Sequence, residues 1–414
     1  MAALNLLSLY FNQGFSMTLE QFYDHPTLAE QAELLGKASS LALAEEAGAP
    51  KLVSSAPDET SGETCGKTVL LTGATGFLGS HLVRALLEKG VSRVICPVRG
   101  EHPERLYDSL QGYFGKDWVG VHRDAVLAVS GDIQKPSLGL ALSELPPVDE
   151  LLHAAADVRH YTVGGSSIQT NTSGTANAIQ AAKALEARFH HISTISVCGE
   201  YLTEAPDKRC IFTENDRDIG QNWRENSYVQ GKFLSEHLVF EAAKQGLPAK
   251  IFRIGRLVGR QSDGVFQKNP GQNTFYSLMR GIMLLDLYPA SLEHLPIELS
   301  AVDECARAIS LLMDGEQIVY HVFNPSAVEL GTLARQFNRA ICPADDQEFE
   351  HHLSERMSRG YSSHLSVLLD LWNRVKLHPA TIIPSAVRTV SELQTRSFQW
   401  PQPDPALLLQ SFVQ

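Results

Sequence analysis

Apolar residues gather in short unbroken runs along the middle of the chain, and stretches with helical spacing separate the runs. Thr68-Val-Leu-Leu-Thr72 has the continuous apolar character of a strand buried on both faces. Gly73-Ala-Thr-Gly76-Phe-Leu-Gly79 interrupts it, and Leu78, Leu82, Val83, Leu86 and Leu87 then share one helical face. Val94-Ile-Cys-Pro-Val98 is the next apolar run, and further strands are predicted at 125–130, before His153, at 190–197 and at 318–324. Helices are predicted to open at Asn171-Thr-Ser-Gly174-Thr175, to run through Tyr228-Val-Gln-Gly-Lys232, and to occupy 300–309, 330–340 and 363–375. Buried strands alternating with helices predict an α/β protein with a doubly wound parallel sheet of Rossmann type.

The pattern also suggests boundaries. Residues 67–260 read as the dinucleotide-binding domain, with 300–325 returning to it. Residues 261–299 and 326–414 read as a smaller, mainly helical region for substrate binding and carrier docking. Residues 39–66 are rich in Ala, Ser, Glu, Pro and Gly, the composition of a linker. Residues 1–38 form a separate short unit with helix-like apolar spacing and a cap-like His25-Pro-Thr27. From spacing alone that unit is an amphipathic hairpin docked on the main domain.

Composition narrows the class. The chain has 414 residues, 43% hydrophobic and 20% charged, in keeping with a soluble enzyme of one large or two ordinary domains. A net charge of −12 without a basic cluster argues against nucleic acid or an anionic membrane as partner. No apolar run approaches a membrane span, and the N-terminus lacks the basic region and cleavage site of a signal peptide. The six cysteines are scattered without a CxxC pair, which fits a reducing cytoplasm and suggests neither zinc nor a disulfide framework. His351-His352 has no companion at ligand spacing, so no metal is expected.

Chemistry enters at the glycine turn. Gly73, Gly76 and Gly79, between a strand and a helix, allow a tight turn and close approach of backbone to a pyrophosphate at the helix N-terminus; Thr75, Phe77 and Leu78 lie in the same turn. NAD sites place an acidic residue at the end of the second strand to bind the ribose 2′-OH. Here that place holds Arg99, whose guanidinium suits a 2′-phosphate, so NADPH is the expected cofactor. Asp132 and Ile133 follow the third strand, where the Asp is placed to accept from an adenine amino group. Ala154, Ala155 and Ala156 form a small-residue turn against which a cofactor can lie, and Asn171 is placed to bond main chain or hold a water near the site. Thr194 ends a strand in hydroxyls. Tyr228 and Lys232, four apart, share one helical face. Each of these also has a bland reading, as an ordinary loop or a solvated helix pair; their order along one chain is what argues for a site.

In these stretches the chain resembles the extended short-chain dehydrogenase/reductases, whose usual glycine spacing is the GxxGxxG seen here. More narrowly it resembles the terminal thioester reductase domains of non-ribosomal peptide and polyketide synthetases. The matching segments include LLTGATGFLGSHLVRALL, CPVRG, GDI, HAAADVRHYT, NTSGTANAI, HISTISVCGEYL, YVQGKFLSEHLV and FRIGRLVGRQSDGVFQKN, in order across residues 67–325. Residues 4–35 resemble the latter half of a carrier domain, which implies a phosphopantetheine-bearing partner and a chain that begins inside a multidomain synthetase, acting as a monomeric domain. The resemblance implies a Thr194–Tyr228–Lys232 triad: Tyr228 donates a proton, its pKa lowered by Lys232, which also binds the nicotinamide ribose, while Thr194 polarises the carbonyl. It implies NADPH-dependent release of a carrier-bound acyl or peptidyl thioester as aldehyde or alcohol. Three departures stand out: Gly231 where relatives often have Ser, Cys198 where Tyr is common, and Ile254, beside the cofactor, where many members have Pro. Competing readings are a nucleotide-sugar epimerase or dehydratase, against which Arg99 argues, and a non-redox cyclising release domain or non-catalytic cofactor sensor, against which the whole triad argues.

Overall fold

The computed structural model describes residues 66–158, 166–360, 362–377 and 380–405. The carrier-like unit at 1–38 and almost all of the 39–66 linker therefore lie outside the described residues. Seven parallel strands form the central sheet: β1 (Thr68–Thr72), β2 (Arg93–Val98), β3 (Val126–Ser130), β4 (Glu150–His153), β5 (Arg188–Thr194), β6 (Ala249–Ile254) and β7 (Val319–Val322). Their spatial order is β3-β2-β1-β4-β5-β6-β7. The chain first winds outward from β1 to β3, then restarts at β4 on the other side, so the order reverses between β1 and β4. A crevice opens at that reversal, outside the C-terminal ends of the two strands.

The sheet is covered on both faces because its strands are apolar on both faces. The helices that matter most here are α1 (Phe77–Glu88), α2 (Ser166–Ala184), α3 (Ser227–Lys244) and α4 (Val302–Leu312). Val69 and Leu71 share one core with Leu82 and Leu86 of α1 and with Val302 and Ile309 of α4. Leu70, between them, points into a second core with Ala178, Ala181 and Ala182 of α2 and Val239 and Phe240 of α3. Leu152 and Leu151 of β4 divide in the same way. This is the period of two that alternates side chains across a strand.

Helix α2 begins at Ser166, so Asn171 lies inside it and does not open it as its sequence suggested. The small residues of α2 allow a close approach to α3. A Cβ at Gly231 would sit 3.2 Å from Asn171 Nδ2 and 3.3 Å from Ile168 Cα. That contact accounts for the glycine, whose helix-propensity cost is about 1 kcal/mol.

A third core, separate from the sheet, is built from the 274–285, 330–337, 346–358 and 363–377 helices, with Met279, Ile282, Leu333, Phe349, Leu368 and Trp372 at its centre. Residues 346–358 form a helix that the apolar pattern did not suggest, and His351 and His352 are exposed on it. The end of the chain behaves differently from the substrate-region assignment of 326–414. Ile382–Pro384 pairs in parallel with Cys210–Phe212, after which α5 (Val387–Thr395) returns to the sheet. Leu393 and Phe398 are buried in the same core as Leu82 and Leu312. The five described cysteines are all free, and no described helix is long and apolar enough to cross a membrane.

Candidate active site

The glycine turn follows β1 directly. Gly73 has φ +81°, and a Cβ there would come within 2.7 Å of the Ala155 nitrogen. A Cβ at Gly79 would come within 2.0 Å of the Gly73 oxygen, so the first turn of α1 lies against the loop that precedes it. The turn is closed by Gly76 N–H donating to Gly73 O at 2.9 Å and by Ser80 Oγ donating to Ala74 O at 3.0 Å. Gly76 caps α1 without a side-chain bond, and no acidic residue lies in its first turn, which leaves the helix N-terminus suited to an anion. Thr75 is half-buried in this turn, Leu78 is buried, and the Phe77 ring packs against His81, Tyr113 and Phe266.

The other wall of the crevice comes from β4. Thr72 Oγ1 accepts from Ala155 N–H at 3.2 Å and pairs with His153 Nδ1 at 2.9 Å, tying the ends of β1 and β4 together. Ala154, Ala155 and Ala156 follow as a half-buried turn. Asn171 holds the continuation of that turn from both sides: its Oδ1 accepts from Asp157 N–H at 2.7 Å and its Nδ2 donates to Asp157 O at 2.9 Å. Of the two roles open to Asn171, bonding main chain is the one the structure displays. Arg99 is exposed immediately after β2. Asp132 turns the chain after β3, its Oδ1 accepting from Gln134 N–H at 3.0 Å, and Ile133 packs on Gly174 of α2.

Across the crevice, β5 and α3 bring Thr194, Tyr228 and Lys232 together. Asn226 caps α3, accepting from Tyr228 and Val229 N–H groups at 2.9 and 3.2 Å, which sets the rotation of the helix. The Tyr228 hydroxyl and the Thr194 side chain are hydrogen-bonded. Lys232 Nζ donates to Ile192 O at 2.6 Å. Ile254 ends β6, paired with Thr194.

The electrostatics correct one expectation. Burial pushes the Tyr228 phenol up to about 12, and the bond with Thr194 only partly opposes this. Burial also lowers the Lys232 ammonium to about 8, with Glu236 working in the other direction. A lysine whose Nζ is directed into a main-chain carbonyl does not override the desolvation of the phenol. Tyr228 therefore holds its proton throughout the neutral range, as a proton donor must.

The NAD-binding family 4 model, described as male sterility protein, matches residues 71–309, more than half of the chain. The chain belongs to this family. Within that NAD-binding family it is similar to a linear gramicidin synthase of Brevibacillus parabrevis, with 28% identity over 77% of this chain but only 6% of that protein. A thiolation-reductase di-domain of an archaeal non-ribosomal peptide synthetase aligns over 99% of this chain and 89% of its own, at 25% identity and a TM-score of 0.76. The reductase domain of the aureusimine biosynthetic cluster aligns over 86% and 91%, at 27% identity and a TM-score of 0.73. This member of the NAD-binding family is thus an NAD(P)-dependent oxidoreductase of the synthetase reductase-domain type.

Several residues that shape the site in this family member carried no motif. Thr72 and His153 join the two crevice strands. Glu236, a further turn along α3, is buried against Arg253 and Ser193. The four-residue spacing of Tyr228 and Lys232, extended once more, reaches Glu236 and was the available signal for it.

Proposed function

We propose that this domain uses NADPH to reduce a thioester delivered on the phosphopantetheine arm of a carrier domain, with Thr194, Tyr228 and Lys232 as its catalytic group. The observation that supports this best is the placement of Tyr228, bonded to Thr194 and one turn from Lys232, across the crevice from the Gly73 turn. The small-residue walls, the uncapped N-terminus of α1 and the exposed Arg99 fit a dinucleotide bearing a 2′-phosphate. NADPH, when bound, supplies the hydride. Ile133, Asn171 and Ile254 would line its binding site beside the residues of the Gly73 turn, Asp132 and the alanine turn.

The protein's own part is proton management at the carbonyl oxygen. As hydride adds to the thioester carbon, Thr194 and Tyr228 donate hydrogen bonds to the oxygen and Tyr228 transfers its proton. The resulting hemithioacetal breaks its C–S bond, leaving an aldehyde and the carrier thiol. A second hydride on the aldehyde carbon, with a second proton from Tyr228, gives the alcohol. Lys232 supports both steps through its charge beside the phenol. The carrier-like sequence at 4–35 and the di-domain likeness support a carrier as the partner that brings the substrate. The domain would work as a single copy within a larger cytoplasmic synthetase. Arg99 and the complete triad weigh against an epimerase and against non-redox release.

Product mass from a panel of acyl-pantetheine thioesters with NADPH tests this reading. Aldehyde or alcohol plus free thiol is expected; a folded, cofactor-binding protein that reduces none of them overturns it.

A further inference from the structure

Three consecutive residues of β5 each meet a residue of α3, and those helix residues are spaced a turn apart. Thr194 bonds the Tyr228 side chain, and Ile192 O receives Lys232 Nζ at 2.6 Å. Ser193, between them, donates from Oγ to Glu236 Oε1 at 2.6 Å. Glu236 and Ser193 are both buried, at 3% and 0% exposure. Glu236 is fixed from behind by Arg253 of β6, whose Nε donates to Oε1 at 3.0 Å and Nη2 to Oε2 at 2.8 Å. Arg253 is held in turn: Nη1 donates to Asp216 O at 2.9 Å and to His321 Nε2 at 3.2 Å, and its guanidinium lies over the Phe212 ring. His321 Nδ1 meets Ser385 O at 2.7 Å, so the line reaches the segment leading into α5.

We infer that Glu236 is a positioning residue for the reduction: its carboxylate holds Ser193 in register between the two strand residues that engage the triad, and keeps charge on Lys232. This rests on the triad reading above. The groups facing Lys232 make Glu236 the one that can do this. On its own helix Lys232 has Tyr228 and Glu236; from β4 and β5 it has His153 and His191, which burial keeps neutral. Arg253 of β6 lies behind Glu236. Glu236 is the negative charge of this set, and it raises the Lys232 pKa against the effect of burial. An isosteric amide would preserve shape, remove that charge and leave Arg253 positive, so Lys232 would lose its proton at lower pH.

The test is Glu236→Gln in the full chain, read in two pH profiles: NADPH binding by cofactor fluorescence, and NADPH-dependent thioester turnover. Both alkaline limbs are expected to move down by about one pH unit relative to wild type. A folded variant whose limbs coincide with wild type overturns the inference, since a purely structural loss would lower the melting temperature and leave the limbs in place. If the single variant does not fold, Glu236→Gln with Arg253→Met removes both buried charges together; it is expected to fold and show the downward shift, and an unshifted limb again overturns the inference. The binding profile needs no thioester. A protein that shows the shift in binding yet reduces no thioester would overturn the proposed reaction and leave the role of Glu236 standing.

Discussion

Lys232 and Ile192 are joined by a 2.6 Å bond from side-chain ammonium to main-chain oxygen, which ties helix α3 to strand β5 one turn from Tyr228. Because burial lowers the Lys232 pKa to about 8, its charge is present at neutral pH and is lost just above it. The expected result is that kcat/KM for NADPH is level below this value and falls as pH rises through about 8. A rate profile measured from pH ~6 to ~10 checks it.

Replacing Tyr228 by Phe removes the proton and keeps the ring. Turnover should fall by roughly 10²–10⁴-fold, with little change in NADPH affinity. Steady-state kinetics combined with fluorescence titration separate the two, and an unchanged rate would reject Tyr228 as the donor.

Arg99, exposed after β2, is assigned to the 2′-phosphate. Arg99→Ala should weaken NADPH binding by roughly tenfold to a hundredfold, the value of a charge-assisted bond, and leave NADH binding unaltered. Equal losses for both cofactors would show that the side chain does not read the phosphate.

Gly73 and Gly79 are constrained by different contacts. Gly73→Ala combines a φ of +81° with a clash against Ala155, and Gly79→Ala drives a methyl into the Gly73 oxygen. Both variants should lose measurable dinucleotide binding, and the Gly79 variant should also lose thermal stability. Calorimetric titration and a melting curve test the pair.

At the opposite, N-terminal edge of the sheet, Glu150 is buried among His190, Arg188 and Lys67. Burial alone would raise its pKa, but these partners outweigh that and hold it at about 2, below the ordinary glutamate value of 4.5. A carboxylate depressed on folding adds stability above its unfolded pKa and loses it as pH falls through the folded value, so the window here is 4.5 down to about 2. Glu150→Gln should cost on the order of 3 kcal/mol at pH 7, and the deficit should shrink across that window. Denaturant melts at pH 7, 4 and 2.5 give the comparison; a deficit independent of pH would contradict the ion-pair account.

Much of the architecture was readable from the chain. Thr68–Thr72 followed by Gly73, Gly76 and Gly79 specifies strand, turn and helix because each depends on residues within a few positions of one another: period, turn chemistry and the absence of Cβ atoms. The Tyr228–Lys232 spacing places two side chains on one face by helix geometry alone. Other features depended on which distant segments meet. Local pattern says nothing of Ser193 against Glu236, of Arg253 against His321, or of Phe398 returning to the core of Leu82, since these contacts exist only once β5, β6, β7 and α5 have assembled. The same holds for ionisation. Proximity of Lys232 in the sequence predicts a more acidic Tyr228, but burial sets its pKa upward, and burial is a property of the packed molecule. Residue order was enough for the elements and the candidate chemistry; the environment of each charge came from packing across the chain.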